Sequence, residues 1–437
     1  MLVVLLFALV AAQDTVAPRL VLGETYAAAR QHSPRVAAAR ALADAARTRI
    51  ASAKLPPDPQ LQLGLMNYAL PGLRPMEPLG MTQLQLMQMI PVAGKLGLSG
   101  RIATALASAQ AERASEVEWE LRSAIAMAFY DLYRTDQQLV VVRETLRLLQ
   151  DIRRTTEAMY RVGEGRQADV LRSQVAIARM VEDTIRMTTM RTGMAARLNA
   201  LLDAPLDAAV GSPVLPTFPD SVPLLRVFVA VADAERPMVK AGEREVDAAN
   251  AQTKLARREI WPDLTVGLQY GQQKVTMPAT DPTMPPERRT ERMGSLMIGA
   301  SIPVFADKRQ YRMRQEMTAM QRMADADLAA MRAETRGKVA EAYANLVRAR
   351  NLTSLYRNTV IPQVEASVTS ALAAYRVGGV DFMTLLDNRM TANDYRQELF
   401  ALEAEEGKSW AELEMLMGRE LFDANNVRGV AATRQEK

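Results

Sequence analysis

Apolar residues recur along the chain at two spacings, the period of a helix and every second residue. Stretches with these two spacings follow one another in the same order in both halves of the chain. From Leu20 to Lys54, and again from about 224 to 260, apolar residues recur at the spacing of a helix. Each stretch stops at prolines, which cannot continue a helix. The pattern therefore predicts one helix at the start of each half.

After these prolines the spacing of apolar residues falls to every second residue. In the second half Leu264, Val266, Leu268 and Tyr270 alternate with polar or small residues. We predict β-hairpins at about 60–92 and 263–304. Strands of about nine or ten residues with one apolar side are long enough to cross a bilayer in a barrel. The same alternation fits ordinary hairpins packed on a soluble core, so the pattern leaves both interpretations open.

A very long helical pattern follows each hairpin. The first runs from Leu98 to Tyr160, roughly 95 Å if it is straight, and the second begins near Tyr311. Pro362 lies inside the second and is predicted to kink or break it. Helices of this length with mostly polar surfaces cannot bury themselves in one monomer, so we expect a coiled-coil wall. Return helices are predicted at Ala168–Leu202 and Thr384–Met417.

The two halves arise from a duplication. Tyr160-Arg161-Val162-Gly163 returns as Tyr375-Arg376-Val377-Gly378, and Pro34 corresponds to Pro237. Repeats shape a fold more than any single motif does. The predicted organisation is a first repeat at 13–204 with a helical tip at about 160–169, a proline-rich connector at 205–223, a second repeat at 224–420 with a tip at about 375–387, and a flexible C-terminal tail at 421–437.

The N-terminus and the composition narrow the class of protein. Residues 1–12 form an apolar run ending in Val10-Ala11-Ala12, which suits cleavage as a signal peptide, although no basic residue precedes Arg19.

Cysteine is absent, which excludes disulfides and thiolate metal sites. A net charge of +4 gives no reason to expect a nucleic-acid partner. No phosphate-binding loop or nucleophile motif occurs, so we expect neither an enzyme nor a cofactor.

Membrane insertion would require more than one chain. Four strands cannot close a barrel, and open strand edges are not tolerated in lipid. Three copies of a four-stranded unit would supply 12 strands, which lies within the range of membrane barrels. If the strands span a membrane, several chains must therefore combine their strands in one barrel.

The complete order of elements resembles the TolC family of outer-membrane efflux proteins. The resemblance rests on the duplicated plan, on the hairpin ends Ile90-Pro91-Val92 and Ile302-Pro303-Val304, and on the two glycine turns. It implies a mainly α fold with a small β part, a homotrimer with a 12-stranded outer-membrane β-barrel, and a periplasmic α-helical barrel. The implied function is a passive channel, in contact with outer-membrane lipid, that receives substrates from a periplasmic adaptor protein and an inner-membrane pump. A soluble periplasmic scaffold and the outer-membrane component of type I protein secretion are the alternatives.

The resemblance also assigns residues to a gate at the helical tips. Asp169 matches an acidic residue that hydrogen-bonds a tyrosine at the other tip, and Tyr375 matches that tyrosine. Asp387 matches one of two acidic positions that ring the pore; Thr384 occupies the other, and Val380 replaces a basic residue. For Asp169 a helix-cap or first-turn role fits equally well.

The tips are also the expected docking site for the adaptor. A tight reversal favours residues that accept positive φ, and glycine does so without steric cost. The residues assigned to docking are Tyr160, Gly163, Gly165, Gly378 and Gly379.

Methionine is unusually frequent, at 26 residues, and several methionines cluster near the hairpins. Thioethers are soft ligands that suit Cu(I) or Ag(I), which would fit a channel for heavy metals. The alternative is that they fill gaps in the interior. The candidate metal positions are Met66, Met76, Met81, Met277 and Met284.

Overall fold

The structure is a computed structural model, and it describes residues 19–69, 71–76, 80–277 and 287–427. The predicted signal peptide lies outside these residues. The chain forms two compact units. The first contains the residues up to Ala39, Ala114–Pro237 and the residues from Arg332 onward; the second contains Arg40–Arg113 and Met238–Met331.

The principal helices and strands follow the same order in both halves of the chain. The first half contains β1 (Arg19–Val21), α1 (Leu22–His32), α2 (Pro34–Ala53), β2 (Gln60–Met66), β3 (Tyr68–Ala69), β4 (Arg74–Pro75), β5 (Met81–Ile90), α3 (Lys95–Arg161), α4 (Gln167–Leu201) and β6 (Ser212–Val214). The second contains α5 (Leu225–Glu235), α6 (Pro237–Arg258), β7 (Asp263–Met277), β8 (Glu287–Ser301), α7 (Gln310–Leu355), a π-helical turn (Tyr356–Val360), α8 (Ile361–Arg376) and α9 (Phe382–Met417).

The single helix predicted at the start of each half is two helices. The breaks fall at Ser33 and at Arg236, each directly before one of the duplicated prolines. A proline clashes with the α conformation of the residue before it, so Ser33 and Arg236 have ψ values of 117° and 123°. Pro34 and Pro237 then begin α2 and α6, where a missing amide hydrogen costs nothing.

Pro362 does not break the second long helix. The π-helical turn immediately before α8 accommodates it, with the Ile361 amide donating to the Tyr356 carbonyl, one residue further back than in an α-helix. Proline at position 362 has no amide hydrogen for the Asn358 carbonyl, and a shift in the hydrogen-bond pattern absorbs this mismatch. The helix therefore continues from α7 into α8 through a local π-bulge.

The second unit contains a four-stranded antiparallel sheet in the order β2-β5-β7-β8. Each half of the chain supplies one hairpin, and the pairing of β5 with β7 joins the hairpins. Strands β2 and β8 are the two edges of this sheet.

Neighbouring rows of the sheet differ sharply in polarity. Leu61, Leu86, Leu268 and Leu296 are register partners across all four strands, and each of these leucines is between 43% and 67% exposed. The adjacent row consists of Gln62, Gln85, Gln269 and Ser295. Since successive side chains of a strand point to opposite faces, one face of the sheet carries the uncovered leucine row, while the other carries this polar row together with methionines such as Met87 and Met297.

The core of the first unit is aromatic and includes both the connector and the start of the tail. Strand β6, in the proline-rich connector, pairs in parallel with β1. The rings of Phe218 and Phe422 lie 5.4 Å apart in a T-shaped contact, and Phe422 also contacts Trp410. The tail was predicted to be flexible, but residues 421–427 pack here because Phe422 and Ala424 bury apolar surface.

Candidate functional site

Both helical tips end in the same backbone motif. At the first tip the Gly163 amide donates to the Tyr160 carbonyl (3.1 Å) and the Glu164 amide to the Met159 carbonyl (2.9 Å). At the second tip Gly378 donates to Tyr375 (3.1 Å) and Gly379 to Ala374 (2.8 Å). These bond pairs form the Schellman motif, which requires a left-handed residue one position after the C-cap. The repeated Tyr-Arg-Val-Gly segment therefore encodes a helix stop with the glycine at the left-handed position.

The four tip glycines have two different roles. Gly163 and Gly378 have φ values of +82° and +72°, as predicted for a tight reversal. Gly165 and Gly379 do not have positive φ, so that expectation was wrong for them. They are tightly packed instead, because a Cβ would lie 2.8 Å from the Tyr160 nitrogen at position 165 and 3.3 Å from the Ala374 oxygen at position 379.

The tyrosines of the two tips lie in opposite environments. Tyr160 is 46% exposed, whereas Tyr375 is 8% exposed and packs against Phe382. The Tyr375 hydroxyl lies 3.1 Å from the Thr156 hydroxyl. Because Thr156 already donates its hydrogen to the Ile152 carbonyl, Tyr375 is the donor in this pair. The predicted hydrogen bond between Tyr375 and Asp169 is not formed within the protomer.

Asp169 lies in the first turn of α4 and faces a cation that the sequence analysis did not identify. Its carboxylate is 4.0 Å from the Arg172 guanidinium. Arg172 also acts electrostatically on Asp381 at the other tip, where it helps to lower the pKa of that carboxyl. Val380 packs against an apolar cluster around Tyr375 and Phe382. Arg172 therefore supplies a positive charge near the tips, while position 380 belongs to their apolar packing.

Asp381 is a second residue that the sequence analysis missed. It is the N-cap of α9, and its carboxylate accepts hydrogen bonds from the amide (2.9 Å) and the hydroxyl (2.6 Å) of Thr384. These two bonds lower the pKa of Asp381. Thr384, assigned to the gate, thus closes the first turn of α9, and Asp387 is exposed one turn further on. An acidic residue directly before an apolar helical pattern was the available signal for the cap.

A groove near the tips lies between α4 and α9. It encloses a cavity of about 400 Å³. Leu171 and Val175 of α4 line it and are largely exposed, and Met383 and Leu386 of α9 form the opposite wall. Arg172 lies at the same groove.

Comparisons with known proteins identify the family. The family model of outer membrane efflux proteins matches residues 25–204 and 229–419, which together form most of the chain. The chain belongs to the outer membrane efflux protein family. The family is one of outer-membrane channels in efflux systems, which work with an adaptor and an inner-membrane pump, and not one of enzymes. Comparison with curated proteins found no significant match.

Solved structures of outer-membrane channels share the fold of this family member. CusC has a TM-score of 0.76 at 16% identity, with 91% of this chain and 92% of CusC covered. VceC of Vibrio cholerae has a TM-score of 0.74 at 16% identity, covering 91% and 96%. The open state of MtrE from Neisseria gonorrhoeae has a TM-score of 0.71 at 14% identity, covering 92% and 89%. The predicted mainly α fold with a small β part is confirmed.

No described helix combines the length and the apolar composition needed to cross a membrane.

The methionines proposed as metal ligands occupy several places in this efflux protein. Met66 and Met81 are register partners on β2 and β5, so their side chains lie on the same face of the sheet. Met76 is exposed directly after β4, and Met277 ends β7. Met284 lies outside the described residues. Of the five, only Met66 and Met81 are brought together in the part of the chain that the structure describes.

Proposed function

We propose that three copies of this chain form a passive outer-membrane channel that receives its substrates from an inner-membrane pump through a periplasmic adaptor. The observation that carries the proposal is the uncovered leucine row formed by Leu61, Leu86, Leu268 and Leu296. A soluble protein rarely leaves an apolar sheet face uncovered, because contact with water is unfavourable at about 25 cal/mol per Å². Lipid would remove this cost.

The sheet edges support an assembly of three chains. Strands β2 and β8 each have a strand partner on one side only within the described sheet. In lipid an unpaired edge is prohibitively costly, because its amide and carbonyl groups have no water to bind. Joining β8 of one protomer to β2 of the next closes a barrel of three times four strands, which removes every edge.

The polar row supports a water-filled interior. In the proposed barrel the leucine row faces lipid, so the row of Gln62, Gln85, Gln269 and Ser295 faces the lumen. Amide side chains hydrogen-bond water without adding charge. The barrel would therefore pass polar solutes without strong selection by charge.

The helical tips support the docking of a partner and a gate. The cap residues Val162 and Val377 occupy equivalent places in the two Schellman motifs and are 71% and 83% exposed. Together with the groove between α4 and α9, they offer a partly apolar surface that an amphipathic helical hairpin of an adaptor could cover. Asp387, repeated three times around the axis of a trimer, would form a ring of carboxylates that favours cations.

The proposal is tested by measuring oligomeric state and conductance with the purified full-length protein. We expect trimers by light scattering in detergent and stepwise currents in planar bilayers. Asp387→Asn should reduce the preference for cations over anions. Protein that stays monomeric, conducts no current and is released from membranes by carbonate would refute the channel and favour a soluble scaffold.

A further inference from the structure

Three basic side chains line one groove on the helices of the second unit. The groove has a volume of about 690 Å³ and lies across α2, α3 and α6. Lys54 directly follows α2, Arg101 lies in α3 and Lys254 lies in α6. None of the lining residues of this basic groove belongs to the helical tips or to the four-stranded sheet.

The floor of the basic groove is open because two positions of α3 lack a side chain. A Cβ at Gly97 would meet no atom within 4 Å. At Gly100 a Cβ would lie 2.6 Å from the Lys54 Cγ and 3.0 Å from its Cε, so glycine at this position lets the Lys54 side chain lie across α3. Lys54 therefore extends over the part of α3 that carries Arg101.

The three cations lie at one level, close to the sheet. The buried Lys95 ammonium binds the Asp263 carboxylate (2.8 Å), which fixes the start of α3 beside the start of β7. At a rise of about 1.5 Å per residue, Arg101 lies about 9 Å along α3 from Lys95, and Lys254 lies about 6 Å from the end of α6. Lys54 crosses α3 next to Arg101, so all three belong to the same layer.

The basic groove lacks acidic partners for these cations. Within the described part of the chain, the side chains of Lys54, Arg101 and Lys254 form no salt bridge and no hydrogen bond. The acidic residue of the lining, Asp247, pairs with Arg244 (3.5 Å). Three unpaired positive charges repel one another, so an anion that binds among them is stabilised by all three.

Exposed apolar side chains lie where the helices of this unit meet the sheet. Trp261 is 54% exposed directly before β7, and Val304 and Phe305 are 78% and 71% exposed directly after β8. Tryptophan and other aromatic residues concentrate at the boundary between lipid and water. This belt indicates that the membrane boundary lies between the sheet and the helices.

The basic groove then lies at the depth of lipid headgroups. The headgroup layer is roughly 5–8 Å thick on each side of the hydrocarbon core. The flexible stems of lysine and arginine let their charged ends reach further toward this layer. Basic residues just outside the hydrocarbon attract anionic lipids.

We infer that Lys54, Arg101 and Lys254 bind the phosphate group of an anionic phospholipid in the leaflet on the helical side of the sheet. Arg101 supplies a planar guanidinium that can donate to two phosphate oxygens, and the two ammonium groups add charge. The inference rests on the proposed channel function and names the class of lipid that the channel binds. A soluble phosphate would gain nothing from the apolar belt beside the groove.

The test is native mass spectrometry of the full-length protein in a non-ionic detergent, titrated with phosphatidylglycerol or phosphatidylcholine. We expect about one retained phosphatidylglycerol per chain, bound at least tenfold more tightly than phosphatidylcholine. The variant Lys54→Gln/Arg101→Gln/Lys254→Gln should lose at least tenfold in affinity for phosphatidylglycerol. Lys54→Arg/Lys254→Arg, which keeps the charges, should bind as the wild type does.

The matched control removes three exposed cations of α7 in the same unit, as Arg312→Gln/Arg314→Gln/Arg322→Gln. It should keep the affinity for phosphatidylglycerol, whereas equal losses in both triple variants would reduce the effect to total charge and overturn the site. Free glycerol 3-phosphate should not displace the lipid at equal concentration. Displacement would assign the groove to a soluble phosphate and overturn the lipid.

Oligomeric state and conductance of the same samples separate this inference from the proposed channel. Trimers that conduct but do not prefer phosphatidylglycerol refute the lipid site alone. Monomers without conductance refute the channel.

Discussion

At the residue scale, the second tip depends on a buried hydroxyl pair. Tyr375 donates to Thr156, and both side chains are almost fully buried. A buried hydroxyl that loses its partner costs more than an exposed one, because water cannot replace the bond. The Asp169 carboxylate, in contrast, lies 4.0 Å from the guanidinium of Arg172 on its own helix.

A double-mutant cycle tests this pairing. Tyr375→Phe and Thr156→Val should each lower the free energy of unfolding by about 1 kcal/mol, and the double variant should lose less than the sum. Chemical denaturation of the solubilised protein measures these values. Asp169→Asn is the control and should be additive with Tyr375→Phe. Coupling of Tyr375 to Asp169 instead of Thr156 would show that the protein in solution forms the bond expected from the family resemblance.

The Asp381 cap makes the start of α9 sensitive to acid. Hydrogen bonds from Thr384 lower the pKa of Asp381, so the capping contribution is complete above the unfolded value of about 3.8 and is lost as pH falls through the lowered folded value. Hydrogen exchange of the Phe382–Leu385 amides should become several-fold faster in Asp381→Ala at neutral pH. Asp381→Asn, which keeps an accepting oxygen, should retain most of the protection. Equal exchange in all three proteins would contradict the cap.

At the element scale, the π-helical turn is held by a buried carboxylate. Glu403 of α9 accepts a hydrogen bond from the Tyr133 hydroxyl of α3 (2.6 Å) and pairs with Arg357 inside the turn. Glu403 is buried, so this one group links the π-helical turn to two other helices. A π-bulge stores an irregular hydrogen-bond pattern, and such tertiary contacts keep it in place.

Removing the charge of Glu403 should loosen this turn. We expect Glu403→Gln to cost about 2 kcal/mol in the free energy of unfolding, because the lost bonds involve an ionised group. Glu405→Gln removes a surface pair with Arg348 and should cost less than about 1 kcal/mol. Denaturation curves of both variants give the comparison. Equal losses would mean that the Glu403 pair is no stronger than a surface ion pair.

Helices and strands with a long, regular pattern of apolar residues could be predicted from the sequence. The positions and forms of the irregularities within them, such as helix breaks, could not. The long helices and the two hairpins follow from periodicity, which burial of one face imposes along many residues. The breaks at Ser33 and Arg236 follow from a local clash with proline that the long pattern concealed. Pro362 marks the place of the π-helical turn, but the continuation of the helix through it depends on contacts with helices distant in sequence, and so does the partner of Tyr375.

At the scale of the whole molecule, the proposed trimer predicts a specific contact between chains. The chain contains no cysteine, so introduced cysteines react without background. A cysteine at Gln62 of β2, combined in turn with one at each of several positions along β8, should cross-link neighbouring protomers at one register and give covalent trimers on denaturing gels. Pairing Gln62 with positions on α4 should give none. Absence of cross-linking along all of β8 would contradict the proposed closure of the barrel.

The leucine row of the sheet also determines the conditions under which this protein stays folded and does not aggregate. A protomer alone in water would expose that row and two strand edges together, which is the surface that drives aggregation. Association and transfer into lipid relieve both costs in the same step, so in the proposed assembly they are linked by mass action. The stability of a single chain is then not a fixed quantity. It depends on how many other chains and how much lipid are present.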